Sequence, residues 1–540
     1  MKAFFHLLPS PLGTPLPNVL PSPSHRWRLA GLIALSFALF ATLHFPIPGV
    51  NEPHYLTKAR HFWEPEWCHR DAFLQSADAH VVFYATVGAL TQWLTFEEAA
   101  WIGRVLGWLL LAGGWSELVL RLVPGRWAPL WSAWIFLGLA SIGNFSGEWV
   151  VGGVEAKVFT YGFLFWSLAW LLSDRLILAA AASGLAVSFH PVVGGWSLIA
   201  LAFALGWSLV SSWWRSSART LDAALGGLPF TVRPLATRLL LPGAVLILCM
   251  LPGLVPALQM LGEASPQLTA RANQIHVFVR LKHHLDPTRF PLAAYVGYAA
   301  LIAGWLILRR WSRKHAGEKF FALYVGGSIL VALAGLVIGF GPRTASLMKF
   351  YPFRLADALV PLAFSITLAG LLEQLAGRSK ETQPTGFTAA WRGGMAWGIA
   401  VMTLAFAIAS PMTPRSRWRE TREAADWIDV NTWVRENTPA DALFWATRRR
   451  EWAFRWYAQR AQYVSYKDCP QDAAGIVDWY ERQWTLHRWS RAHFDAGYSA
   501  HALAELRETT GIDHLIARRD ERMEAKPLYQ NSTFVVYKLP

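Results

Sequence analysis

Between Val50 and His80 the chain sets Glu52, His54, Glu64, Glu66, His69, Asp71, Asp78 and His80. They follow a long apolar run, Leu29 to Phe45, that Pro46-Ile-Pro48 ends. A cluster of acids and histidines at a membrane boundary is where proton transfer can be run. Glu52 stands within a few residues of that boundary. A carboxylate partly shielded from water there has its pKa raised toward that of a useful base. A helix cap is the competing reading, because Pro53 suits a first helical position. His54, His69 and His80 lack tight metal-ligand spacing. Glu64, Glu66 and His69 are the set from which an ion could draw ligands, but a solvated surface explains them better.

A second segment, Gly143-Asn-Phe-Ser-Gly-Glu148-Trp-Val-Val-Gly-Gly-Val-Glu155-Ala-Lys157, brings two acids and a lysine to the start of another apolar run. Its glycines allow close backbone approach, so it can close over the first segment. His190-Pro191 ends a further run on the same side. Cations crowd 262–290, with Arg271, Arg280, Lys282, His283, His284 and Arg289, and 341–354, with Arg343, Lys349 and Arg354. Arg and Lys bind phosphate well, so these are candidate anion ligands.

These groups need a scaffold. Of 540 residues 54% are hydrophobic and 16% charged, where globular chains carry about 25% charged. Thirty tryptophans fit a membrane protein, since Trp concentrates at membrane–water interfaces. Eleven runs approach the roughly twenty residues a span needs: 27–45, 98–122, 127–144, 157–172, 176–191, 195–212, 239–261, 291–310, 319–340, 354–375 and 392–410. A twelfth, 79–96, is short and is broken by Gln92. Residues 1–26 read as a disordered cytoplasmic tail.

The net charge of +14 is concentrated before Arg415, where 30 of the 50 basic but only 18 of the 36 acidic residues lie. That surplus is explained by cytoplasmic loops and anionic lipid headgroups and calls for no nucleic acid. Arg26 and Arg28 put the N-terminus inside. Basic clusters at 121–126, 215–238 and 309–319 mark inner loops. These assignments agree if 79–96 does not cross. Loops 46–80, 145–156, 262–290 and 341–353 then lie outside, as does everything after 411.

Residues 411–540 differ in kind. Thr421 to Asn437, Ala473 to Trp489 and Ser499 to Thr510 read as helices. Ala442–Thr447, Tyr463–Tyr466, Ile512–Ala517 and Thr533–Leu539 read as strands. The alternation implies a small α/β domain with a mainly parallel sheet. Cys68, Cys249 and Cys469 form no CxxC, and a Cys68–Cys469 bridge competes with two unrelated thiols.

A first span followed by an outer loop opening Asn51-Glu52-Pro53-His54-Tyr55 resembles the type-C (GT-C) glycosyltransferases. Members open that loop with acid pairs followed by aromatics, and place an acid in a later outer loop, to which Glu148 or Glu155 corresponds. Here Asn51 stands where a first acid is common. The resemblance implies a polytopic helical bundle of about eleven spans with a small outer domain, in a bacterial inner membrane. It implies transfer of a sugar from a polyprenyl-phosphate donor to an acceptor on the outer face. Glu52, Glu148 and Glu155 are the catalytic candidates. His54, Tyr55, Lys157, His190, Arg280, Lys282, Arg343, Lys349 and Arg354 are the substrate-binding ones. Some members use a divalent metal, and the resemblance leaves a cofactor open, as the sequence leaves the oligomeric state. Asn437–Phe444 and Arg460–Pro470 also resemble a domain of unknown function from bacterial membrane proteins. Two other readings compete. One is a transporter or flippase for lipid-linked or anionic solutes, with Arg104, Glu117 and Asp357 as its charges. The other is a non-catalytic assembly protein.

Overall fold

The computed structural model describes residues 20–49, 51–123, 125–220, 232–312, 315–340, 345–377, 386–410, 420–446, 453–493, 497–521 and 523–540. Most of the proposed N-terminal tail, and Arg343, lie outside these residues.

Each of the eleven apolar runs is a helix: Pro23–His44, Phe96–Leu122, Ala128–Ile142, Ala156–Leu171, Leu176–Phe189, Pro191–Thr220, Val232–Gly262, Leu292–Trp311, Ala316–Gly339, Arg354–Gly377 and Gly386–Ala409. Eight contain segments long and apolar enough to cross a membrane, and two more are shorter apolar helices. The remaining one, Ala156–Leu171, carries Lys157 in its first turn. The chain is a polytopic helical membrane protein. Its lipid-facing surface is apolar, with Leu248 69% and Val337 78% exposed, because hydrocarbon leaves such side chains no reason to turn inward. Between helices the packing is close. A Cβ at Gly253 would lie 2.0 Å from the Ser188 carbonyl oxygen, so only glycine lets Val232–Gly262 lie against Leu176–Phe189.

The run 79–96 forms two short pieces, Val81–Ala85 and a 3₁₀ turn Val87–Gln92, neither long enough to cross. The next helix begins where Thr95 and Glu98 close a reciprocal capping box. The loop after the first span is itself helical over Glu52–Trp63. It continues through a short turn over Ala72–Gln75, capped by Asp71, which accepts from the N–H groups of Phe73 and Leu74.

The C-terminal part holds a five-stranded sheet: β1 (Leu443–Ala446), β2 (Ala461–Gln462), β3 (His514–Arg518), β4 (Pro527–Gln530) and β5 (Phe534–Lys538), in the order β2-β1-β3-β5-β4. It is mixed rather than mainly parallel. β1 runs parallel to β2 and β3, while β5 is antiparallel to β3 and β4. The cause is local. Asn531 Oδ1 accepts from the N–H groups of Thr533 and Phe534, and this side-chain turn folds β4 back on β5 as a hairpin. Strand β4 escapes sequence reading because it is a largely exposed edge that opens with a proline.

This unit is packed onto the loops that follow the first span and the helix Val232–Gly262. Cys68, Phe73 and Leu74, with Ala272 and Ile275, share one hydrophobic cluster with Leu443, Trp479 and Trp489. All three cysteines are free, so the two-thiol reading holds. Cys68 and Cys469 are buried in that cluster, and burial pushes the Cys469 thiol up to about 12.

Candidate active site

Where these loops meet the C-terminal unit there is a cavity of about 250 Å³. Among the described residues its lining includes one carboxylate, Glu155, and five Lys or Arg side chains: Lys157, Arg280, Lys349, Arg354 and Lys467.

Glu155 stands immediately before the helix Ala156–Leu171 and does not cap it with its side chain. Its Oε1 accepts from Asn51 Nδ2 at 2.6 Å, and its Oε2 lies 3.6 Å from Lys157 Nζ. Burial raises its pKa most, with Lys157 and Asn51 pulling the other way. The net effect is a carboxylate more basic than usual that is still charge-paired, as a general base requires. Behind it, Glu148 is held by Arg354 Nε at 2.9 Å, Lys157 Nζ at 3.4 Å and the Tyr161 hydroxyl at 3.1 Å. Glu148 does not line the cavity; it fixes the cations that do. The loop bearing it is pinned by Asp357, which accepts from the N–H groups of Phe145, Ser146 and Glu148 at 2.6, 2.8 and 3.1 Å.

Glu52 is not brought into the cavity. Its side chain is fully buried. Oε1 accepts from Arg104 Nε at 2.6 Å and from the Val154 N–H at 2.8 Å. Oε2 accepts from Arg104 Nη2 at 2.9 Å and the Gly49 N–H at 2.5 Å. Four donors fill a carboxylate's acceptor positions. The same contacts tie the loop after the first span to the one before Ala156–Leu171 and leave the adjacent Asn51 to reach Glu155.

Of the substrate-binding candidates, His54, Tyr55, Lys157, His190, Arg280, Lys349 and Arg354 line the cavity. Lys282 is exposed and outside the lining, because it falls on the outer side of the turn Lys282–Leu285. The Tyr55 hydroxyl meets His80 Nε2 at 3.2 Å, and Arg354 Nη1 meets His190 Nε2 at 3.3 Å. Arg354 also lies over the Tyr351 ring at 3.9 Å. Burial first, then neighbouring charges, hold His276 at about 4 and His80 and His284 at about 3. These imidazoles are neutral near pH 7, so the positive field comes from the Lys and Arg side chains.

Lys467, His276 and His80 also line the cavity, and the sequence did not single them out as ligands. His80 sat in the first cluster. Lys467 sits in the Arg460–Pro470 stretch but carries no spacing signal tying it to residues four hundred positions earlier.

The described residues do not assemble a divalent-metal site. Glu64 pairs with Arg60 at 2.6 Å, while Glu66 and His69 are exposed. No group of three His, Cys, Asp or Glu side chains that could hold an ion occurs among the described residues. The cavity itself offers a single carboxylate beside a lysine.

Two crystal structures of ArnT from Cupriavidus metallidurans align with nearly the whole molecule. One is bound to undecaprenyl phosphate, with a TM-score of 0.50 at 13% identity, and the other is in the apo state, with 0.51 at 11%. Both alignments cover 96% of this chain and 99% of the other. The fold is the GT-C fold. Within it, residues 425–486 match a domain of unknown function, DUF6798. No curated protein sequence matches the chain. The GT-C bundle accounts for the spans, and the DUF6798 segment contains Arg455 and Lys467, two of the cations around the site.

Proposed function

We propose that this chain moves a sugar from a polyprenyl-phosphate donor to an acceptor at the outer face of the membrane. The carrying observation is the cavity at the loop end of a GT-C bundle, lined by five cations and a single carboxylate. The acceptor oxygen bonds to the anomeric carbon as the bond from that carbon to the phosphate oxygen breaks. The acceptor proton passes to Glu155. The electron pair leaves with the polyprenyl phosphate, whose growing charge Arg280, Lys349 and Arg354 stabilise. The cavity rim includes Ala257, Met260 and Leu261, at the end of the spanning helix Val232–Gly262. A lipid tail can leave the cavity there while its headgroup stays among the cations. The ArnT structure with undecaprenyl phosphate supports a lipid phosphate as the anion.

Transport finds less support. Glu117 pairs with Arg26 and Arg121, Arg104 with Glu52, and Asp357 with backbone N–H groups. Each of these charges has a fixed structural partner.

Undecaprenyl phosphate titrated into the detergent-purified protein should bind. Arg280→Ala, Lys349→Ala and Arg354→Ala should each weaken it by about tenfold or more, since a charge-assisted hydrogen bond contributes about 1.5–3 kcal/mol. Wild-type protein with no affinity for this lipid would sink the reading.

The same reading places the sheet outside, with the N-terminus in the cytoplasm and 411–540 as an outer domain. Alkaline phosphatase, which is active only outside the cytoplasm, should be active when fused after Pro540. Activity of a cytoplasmic reporter alone at that position would put the cavity on the wrong face.

A further inference from the structure

The segment matching DUF6798 has no assigned role, yet it forms one wall of the cavity. Lys467, Cys469, Gln471, Ala473 and Ile476 line it, and all fall within 425–486. The wall is built to hold its shape. Ser465 Oγ accepts from the N–H groups of Lys467 and Asp468 at 3.2 and 3.3 Å, and Trp479 Nε1 donates to the Ser465 carbonyl at 2.8 Å. Asp468 is buried and faces two ways. Its Oδ2 binds Arg455, which also meets Asp71 Oδ2 of the first outer loop at 2.8 Å. Its Oδ1 lies 3.0 Å from His54 Nδ1. With Nδ1 engaged there, the His54 ring has Nε2 left as its polar atom for the cavity that it lines.

The order of surfaces around the cavity is informative. The apolar rim of Ala257, Met260 and Leu261 belongs to a membrane helix, and Arg280, Lys349 and Arg354 follow it. Arg280 Nη2 donates to the Lys467 carbonyl at 2.6 Å, so the cation group adjoins the DUF6798 wall directly. A lipid with its tail at the rim and its phosphate on the cations has one group left to meet that wall: the sugar. An ammonium, a carboxamide and an imidazole nitrogen suit hydroxyl groups, donating and accepting as a hexose requires.

We infer that the DUF6798 segment is the sugar-reading wall of this site. Lys467, Gln471 and the Asp468-oriented His54 contact the hydroxyls of the donor hexose. This rests on the function proposed above. It extends that reading by giving the segment a ligand and by separating sugar contacts from phosphate contacts.

The test uses the full-length protein in detergent and two probes, undecaprenyl phosphate and undecaprenyl phosphate carrying a hexose, titrated by native mass spectrometry. Gln471→Ala and His54→Gln should each weaken the hexose-bearing lipid about fivefold, the effect of losing one neutral hydrogen bond at about 1 kcal/mol, and Lys467→Gln by about tenfold or more, since its ammonium makes a charge-assisted bond. For Gln471→Ala and His54→Gln, affinity for the bare lipid should stay within about twofold, far below what a lost charge-assisted contact to phosphate would cost. Lys467→Gln also removes one of the five cations, and its loss should be larger for the hexose-bearing lipid than for the bare one. Gln471 is exposed, so its substitution reports on binding even where another variant fails to fold. Equal loss for both lipids would make the wall a phosphate contact and overturn the inference. No loss for either would leave the wall outside the headgroup. Wild-type protein that binds bare lipid but gains nothing from the hexose would refute the inference alone, whereas wild-type protein that binds neither would remove the glycosyltransferase reading with it.

Discussion

Glu155→Gln should abolish sugar transfer by a factor of about 10²–10⁴, the usual contribution of a general base, while the protein accumulates and melts as the wild type does. The amide keeps the size of the side chain and an oxygen for Asn51 Nδ2, which lies 2.6 Å from the carboxylate now. It loses only the ability to take a proton and the charge facing Lys157. The readout is consumption of undecaprenyl-phosphate-linked hexose by purified protein supplied with membrane extract. A pH profile sharpens it. Burial raises the Glu155 pKa, and the base works only when deprotonated. Activity should therefore fall as pH drops through a value above the ordinary carboxylate range, and that acid limb should vanish in the variant. Full activity in Glu155→Gln would require a base elsewhere, with His54 the next group in the cavity.

The second large effect concerns Glu52 and Arg104, and it is on stability. Both side chains are fully buried, so removing either charge leaves the other uncompensated. Breaking such a pair costs about 3–5 kcal/mol. Glu52→Gln and Arg104→Met should each accumulate poorly in the membrane and melt well below the wild type. The double variant should recover part of the loss, because no lone charge remains in it. Thermal melting in detergent, compared across the three variants, decides the matter. A Glu52→Gln protein that melts normally yet loses transfer selectively would restore Glu52 to the chemistry. On the present geometry it positions: it ties 49–52 to Val154, and so sets Asn51 against Glu155.

Much of the architecture was legible because the bilayer imposes a length on apolar runs. All eleven runs became helices, and the capping residues Thr421 and Ser499 stand where the helices of the C-terminal part begin. The antiparallel half of the sheet was not legible, since it depends on one asparagine turn and an exposed edge strand. For the site, residue type pointed to the loops that meet at the cavity but did not separate the three candidate carboxylates, of which Glu155 lines it and Glu52 and Glu148 do not. Glu52 and Glu155 look alike in sequence, each beside a membrane boundary. What separates them is Arg104, which lies near the start of an apolar run and reaches one of them and not the other. No local pattern announces that choice. Lys467 was hidden for a related reason: the wall it belongs to is assembled by tertiary contact.

The Asp71–Arg455 pair also has a bearing on how the molecule is made. Its two halves are 384 residues apart. At about 5–20 residues per second, the ribosome takes roughly 20–80 s to travel from one to the other. Throughout that interval the loop after the first span has been synthesised, yet the cation that will neutralise its buried acid has not. Arg455, and with it the clamp on His54, arrives only after every membrane helix. A chain cut short between the last membrane helix, Gly386–Ala409, and the sheet therefore carries a complete bundle and an unfinished pocket. Such a fragment differs from the finished protein in that Asp71 lacks the Arg455 guanidinium that neutralises it.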